Sequence, residues 1–285
     1  MKIAVTGATG FIGAALCNRL ISEGYEVISL SRASGFDLFH TPPEAVPEFD
    51  VLVHLAAESF VPASYQRPAD FYHVNVLGTV RMLELCRQQQ ARLVFMSSYV
   101  YGRPDYLPID EAHPLRALNP YGETKIMGEA ACRAWTRDFG LETIILRLFN
   151  VYGPGQDPQF LIPKMVEQAT TGKICLQDPR PRRDFVYLDD VVELITRTFA
   201  LPLPQKTETF NIGSGKSVSI QELLSEIKGH FPELDITFSG EQRANEVLDT
   251  VSDISKAKEL LGWTPQYDIT AGMAALLASQ FSSKN

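Results

Sequence analysis

Eight residues near the start, Thr6-Gly7-Ala8-Thr9-Gly10-Phe11-Ile12-Gly13, constrain this chain more than any other stretch. KIAVT (2–6) before them is an unbroken apolar run of strand length. After them Phe11, Ile12, Ala15, Leu16 and Leu20 recur with a helical period up to Glu23. Three glycines in the join permit a tight turn and let the backbone approach a pyrophosphate. The helix that follows begins with N–H groups lacking intrahelical partners and with a partial positive charge. Gly7, Gly10, Phe11, Ile12 and Gly13 are therefore candidates to hold the phosphates of a dinucleotide.

The rest of the first half repeats the alternation. EVISL (26–30), VLVHL (51–55), RLVFM (92–96) and TIILRL (143–148) read as strands. Asp70–Gln89 and Tyr121–Phe139 read as long helices. Strands without polar alternation, separated by helices, predict an α/β fold of Rossmann type, a doubly wound parallel sheet covered on both faces. Beyond about residue 150 glycines, prolines and arginines cluster in 152–163 and 178–184. Helical patterns follow at Leu188–Ala200, Ile220–Phe231 and Asp268–Lys284, with short strands at 209–213 and 235–238. The expected division is a dinucleotide-binding part, 1–150 plus roughly 184–213, and a smaller C-terminal substrate-binding lobe, 151–183 and 214–285. That lobe would lie over the carboxyl edge of the sheet, where open α/β sheets bind ligands.

Charge and composition exclude several classes. Asp plus Glu is 34 against 26 Lys plus Arg, a net charge of −8, which repels phosphate backbones, so no nucleic-acid partner is expected. No apolar run approaches the roughly 18 residues of a membrane span, and Met1-Lys2 followed by a strand does not resemble a secretion signal. The expected setting is cytoplasmic, without a membrane partner. Cys17, Cys86, Cys132 and Cys175 form no C-x-x-C pair, and no metal site is expected.

The T-G-x-x-G-x-x-G spacing resembles the extended short-chain dehydrogenase/reductase superfamily, in its NAD(P)-dependent nucleotide-sugar epimerase/dehydratase/reductase branch. Further landmarks in family order are His54-Leu55-Ala56-Ala57, Asn75-Val76-Leu77-Gly78-Thr79, Ser97-Ser98-Tyr99-Val100-Tyr101-Gly102 and Pro120-Tyr121-Gly122-Glu123-Thr124-Lys125. Later come Arg147-Leu148-Phe149-Asn150-Val151-Tyr152-Gly153-Pro154-Gly155, Arg183-Asp184-Phe185-Val186-Tyr187 and Leu261-Gly262-Trp263-Thr264-Pro265. The resemblance covers nearly the whole chain.

Tyr121 and Lys125 stand four apart at a helix start, hence on one face. Asn119 suits the N-cap and Pro120 the first helical position. An ammonium near a phenol favours the phenolate, so Tyr121 is expected to move a proton at a sugar hydroxyl while hydride passes to the cofactor. The resemblance places a catalytic hydroxyl three residues before V-Y-G, which is Ser97, with Ser98 as a turn serine in the alternative. Sugar 4,6-dehydratases of the family carry Asp-Glu after that hydroxyl; Ser98-Tyr99 stand here, which favours a 4-epimerase or 4-keto reductase.

For the cofactor, the second strand ends Leu30-Ser31-Arg32, without the carboxylate that usually meets a ribose 2′-hydroxyl in NAD binders. Arg32 could pair a 2′-phosphate, so NADP(H) is favoured over NAD(H). By resemblance Asp37 and Leu38 cradle adenine, Leu55, Ala56 and Ala57 line the middle of the cofactor, and Asn75 bonds it near the active centre. His54 reads as a packed core histidine. The resemblance places Ser98, Tyr99, Asn150, Arg183 and Arg243 against the substrate, the arginines on its phosphates. It also implies a homodimer built on the helices at 70–89 and 121–139. Two readings compete with the nucleotide-sugar one: an NADPH-dependent reductase of a non-nucleotide carbonyl, and a dinucleotide sensor without turnover.

Overall fold

The apolar runs become strands. In the computed structural model, which describes residues 1–242 and 246–282, the chain opens β1 (Lys2–Thr6), α1 (Phe11–Ser22), β2 (Glu26–Leu30) and β3 (Val51–His54). It continues α2 (Val61–Gln66), α3 (Pro68–Phe71), a π-helical turn (Tyr72–Leu77), α4 (Gly78–Gln89), β4 (Arg92–Ser98), α5 (Pro120–Phe139) and β5 (Thr143–Leu148). Then come β6 (Asn150–Tyr152), α6 (Leu161–Ala169), β7 (Lys173–Leu176), β8 (Arg182–Tyr187), α7 (Leu188–Arg197) and β9 (Thr207–Ile212). The last elements are β10 (Ser217–Ser219), α8 (Ile220–His230), β11 (Asp235–Phe238), α9 (Ser255–Leu261) and α10 (Ile269–Ser282).

The central sheet runs β2-β1-β3-β4-β5-β9, all parallel. Alternate residues of each strand face opposite layers. Ile3 and Val5 join α1 and α7 in one core, while Ala4, Leu52 and Phe95 join α4 and α5 in another. Strand order turns around at β1, with β2 on one side and β3 on the other, so the crevice opens at the carboxyl ends of β1 and β3. The expected Rossmann-type sheet is what forms.

A second group of elements has its own apolar centre. The three-stranded sheet β10-β8-β6 and the pair β11-β7 pack with α6, α8 and α10 around Ile162, Met165, Leu223, Ile227 and Leu276. α9 and Trp263 pack instead into the core under the central sheet, although they lie far along the chain.

The helix expected at Asp70–Gln89 begins earlier, at Pro68, and is interrupted by the π turn. Within it the expected apolar stripe splits: Met82, Leu83 and Leu85 are buried, and Leu77 is 54% exposed. No helix among the described residues is long and apolar enough to cross a membrane.

Candidate active site

The glycine turn is built as its spacing requires. Gly7 has φ +65°, and a Cβ there would lie 2.9 Å from the Ala56 backbone nitrogen. A Cβ on Gly13 would stand 2.1 Å from the Gly7 carbonyl oxygen. Gly10 is the N-cap of α1, and its N–H donates to Gly7 O at 2.9 Å. Side chains at 7 or 13 would thus break the turn, while the opening N–H groups of α1 beside half-buried Phe11 and Ile12 point toward the crevice. Leu55, Ala56 and Ala57 line its other wall, half-buried, directly after β3. The cradle fits a dinucleotide pyrophosphate, and it is made by backbone.

Across the crevice, α5 starts as its sequence signals demand: Asn119 Oδ1 accepts from Gly122 N at 2.8 Å, with Pro120 in the first turn. This places Tyr121 and Lys125 on one face. Lys125 Nζ lies 5.9 Å from the Tyr121 ring centre and donates to the Met96 carbonyl at 2.8 Å. Lys125 is 6% exposed, and burial pulls its ammonium down to about 8. Tyr121 is partly exposed, yet the protein packed round it pushes the phenol up to about 12; Ser98, hydrogen-bonding beside it, works against the rise. In the protein alone desolvation, which penalises the anion, decides the direction, and the phenolate-favouring effect expected of Lys125 does not overcome it.

The hydroxyl beside Tyr121 in the structure is that of Ser98, whereas the resemblance pointed to Ser97. Ser97 points into the protein, 2% exposed, and its Oγ donates to Glu129 Oε1 at 2.7 Å. Successive strand residues face opposite ways, so the step from 97 to 98 at the end of β4 exchanges one environment for the other. Tyr99 stacks on Phe149 at 5.4 Å and stands close enough to Tyr121 to disfavour a second phenolate.

Sequence reasoning missed the group beneath. Glu129, one turn beyond Lys125, is 0% exposed and accepts from Arg147 (2.7 and 2.9 Å), Arg133 (2.7 Å) and Ser97. Burial alone would raise its carboxyl; those donors overcome it and hold it below the ordinary value. The i,i+8 carboxylate after Tyr121 was the available signal.

Asn75 sits in the π turn with its amide fully used. Nδ2 donates to Glu58 O and to Thr124 Oγ1, both at 2.9 Å, and Oδ1 accepts from Glu58 N at 2.9 Å. Both amide protons are taken, so Asn75 braces the loop after β3. His54 is buried as expected, with Thr6 and Thr79 on its two ring nitrogens.

The other expected residues fall around the crevice or beyond it. Arg32 is exposed just after β2 and has no ion pair among the described residues. Ser31 caps the short turn that Arg32 opens, accepting from Ser34 N. Asp37 Oδ1 accepts from the N–H groups of Phe39 and His40, so that oxygen shapes its own loop, while Leu38 packs against Gly78. Asn150 Nδ2 donates to Asp184 O at 3.0 Å. Arg183 is paired with Glu246 and donates to the Val247 carbonyl. Arg243 lies outside the described residues.

Residues 3–213 match the model of the NAD dependent epimerase/dehydratase family. This chain belongs to that family. A UDP-glucose 4-epimerase of Mycolicibacterium smegmatis is 31% identical over 96% of both chains. Among solved structures, MoeE5 in complex with UDP-glucuronic acid and NAD superposes with a TM-score of 0.92, at 30% identity over 99% of this chain and 100% of that one. A UDP-glucuronic acid 4-epimerase from Bacillus cereus, with UDP-glucuronic acid and NAD, gives 0.90 at 28% identity over 99% and 100%. The family membership makes this an enzyme that works with a nicotinamide dinucleotide. Both solved relatives hold NAD, so the expected preference for NADP(H) rests on Ser31 and Arg32 alone.

Proposed function

We propose that this enzyme is a 4-epimerase of a nucleoside-diphosphate sugar, with Tyr121 as the acid/base, Ser98 as its hydroxyl partner and Lys125 as the cation beneath. The observation that carries the reading is the meeting of Tyr121, Ser98 and Lys125 on one side of the crevice, opposite a backbone cradle for pyrophosphate. The dinucleotide, when bound, supplies the hydride acceptor and, oxidised, a positive charge that draws the Tyr121 pKa down. Tyr121 as a neutral phenol is ready to donate; with its pKa lowered it takes the proton from the sugar hydroxyl. Ser98 hydrogen-bonds the same oxygen and orients it. Glycines 7, 10 and 13, with Phe11, Ile12, Leu38 and Leu55–Ala57, hold the dinucleotide; Asp37, through its second oxygen, meets the adenine.

The larger part, 1–150 with about 184–213, would carry the dinucleotide, and 151–183 with 214–285 the substrate. Tyr99, Asn150, Arg183 and Arg243 would face the nucleotide sugar, the arginines on its phosphates. Arg183 must then exchange Glu246 for phosphate. Neither a non-nucleotide carbonyl nor pure sensing calls for such arginines together with the Tyr121–Lys125 pair.

The site would take NAD(H) and, through Arg32, NADP(H), because no carboxylate at the end of β2 repels a 2′-phosphate. Titration with both dinucleotides checks this: Arg32→Ala should weaken NADP about tenfold and leave NAD unchanged, on the scale of a charged hydrogen bond. Free cysteines suit a reducing, cytoplasmic setting. Exposed Leu77 and Met127, 54% and 40% accessible, would lie in a homodimer face on the π turn and α5; sedimentation at micromolar concentration decides it.

The central test is turnover. Purified protein incubated with UDP-glucose or UDP-galactose should interconvert them. A dinucleotide-bound protein that converts no UDP-, dTDP-, GDP- or CDP-sugar defeats the proposal.

A further inference from the structure

We propose that His54 is a positioning residue, tying the dinucleotide-binding loops to the helix that carries Tyr121, through Thr6 on one ring nitrogen and, on the other, by way of Thr79, Asn75 and Thr124. The inference rests on the reading above. It starts from a run of buried polar side chains that no packing argument calls for: Thr6, His54, Thr79, Asn75 and Thr124, each 2% exposed or less.

The hydrogen bonds in this run have one consistent direction. Thr6 Oγ1 accepts from the N–H groups of Leu55 (3.1 Å) and Ala56 (3.2 Å). Its lone pairs are then taken, so its proton goes to His54 Nδ1, 2.7 Å away. Thr79 Oγ1 donates to the Asn75 carbonyl at 2.6 Å, so it accepts from His54 Nε2 at 3.2 Å. Only the neutral imidazole with its proton on Nε2 satisfies both sides. Burial, with the Lys125 charge adding to it, pulls His54 down to about 3, so the ring stays neutral over the working range.

Each end of the run reaches a different functional part. On the Nδ1 side, Thr6 ends β1, immediately before Gly7, and holds the Leu55–Ala56 backbone against which Gly7 packs. On the Nε2 side, Thr79 fixes the π turn through Asn75 O, and Asn75 Nδ2 donates to Thr124 Oγ1 at 2.9 Å. Thr124 Oγ1 in turn donates to the Tyr121 carbonyl at 2.7 Å, in the first turn of α5. Thus the dinucleotide wall and the acid/base helix are held by opposite nitrogens of one ring.

This makes an asymmetric prediction, because Asn can replace Nδ1 and Gln can replace Nε2. His54→Asn keeps an acceptor for Thr6 and loses the Thr79 arm; His54→Gln keeps a donor to Thr79 and loses the Thr6 arm. Thr79→Val and Thr6→Val cut the same arms without touching the ring. Three measurements are made on the full-length protein: NAD affinity by titration, kcat for UDP-glucose and UDP-galactose interconversion, and hydrogen exchange of residues 119–125. His54→Asn and Thr79→Val should lower kcat and speed exchange at the start of α5, each about tenfold, with NAD affinity within about twofold. His54→Gln and Thr6→Val should weaken NAD about tenfold with exchange at 119–125 within about twofold. The proposal is overturned if all four variants lose affinity and exchange protection together, in proportion to their fall in Tm, or if His54→Phe changes none of the three. Should the unmodified protein convert no UDP-sugar, the substrate assignment fails, while affinity and exchange still decide the role of His54.

Discussion

Lys125 and Glu129 lie one turn apart on α5, both buried, and the protein treats their charges in opposite ways. Glu129 is surrounded by Arg147, Arg133 and Ser97, and its charge is secured. Lys125 has the Met96 carbonyl and two aromatic faces, and its charge is left weakly supported. A buried ion with several donors fixes a structure; a buried ion with one acceptor remains sensitive to what arrives beside it. The first anchors α5 to β4 and β5. The second, beside Tyr121, is where charge can change.

The largest expected effect lies on the poised side. Tyr121→Phe should reduce kcat by about 10²–10⁴-fold, the range of a lost acid/base, while dinucleotide affinity stays the same. Retained turnover would assign the proton transfer elsewhere. Next, Glu129→Ala should destabilise the fold by about 3–5 kcal/mol, because it strands Arg147 in the interior. Urea unfolding measures this; a loss below about 1 kcal/mol, the scale of an exposed pair, would show that the ion pair is not the anchor described. The two serines of β4 provide a finer contrast. Ser98→Ala should slow turnover by about tenfold or more with little effect on stability, and Ser97→Ala should cost about 1 kcal/mol of stability with little effect on turnover. The reverse pattern would restore Ser97 to the catalytic position.

The smallest effects concern pH. Lys125 is held below its ordinary value, at about 8, so above that pH the unfolded chain binds more protons than the folded one. Its contribution to stability therefore rises from about pH 8 toward the ordinary lysine value near 10.5. Tyr121, raised from 10.0 to about 12, does the opposite across that interval, since the folded protein keeps a proton that the unfolded chain loses. Unfolding midpoints of Lys125→Met, followed against pH beside the unmodified protein, should lack the rise. An unchanged profile would mean that Lys125 is not desolvated as described.

Local rules made much of this legible. The glycine turn, Asn119 at the N-cap, Pro120 in the first turn, and the Tyr121–Lys125 spacing all depend on residues within a few positions of each other. DITF at 235–238 was visible for the same reason, as β11. Ser97 against Ser98 was not, because one residue of register at a strand end exchanges a buried carboxylate for the Tyr121 phenol. The Tyr121 pKa also escaped: spacing places an ammonium nearby but carries no account of desolvation.

By itself the sequence determined the parallel sheet, the phosphate cradle and the residue types of the acid/base pair, since those follow from apolar periodicity and from backbone geometry that glycine alone permits. Only the tertiary structure decided which serine meets Tyr121, why Asn75 is spent on the loop, and that His54 bridges Thr6 of β1 and Thr79 of α4. Those are contacts between groups 17 to 49 residues apart, and no local preference encodes which of several chemically competent neighbours a folded chain brings within hydrogen-bond reach.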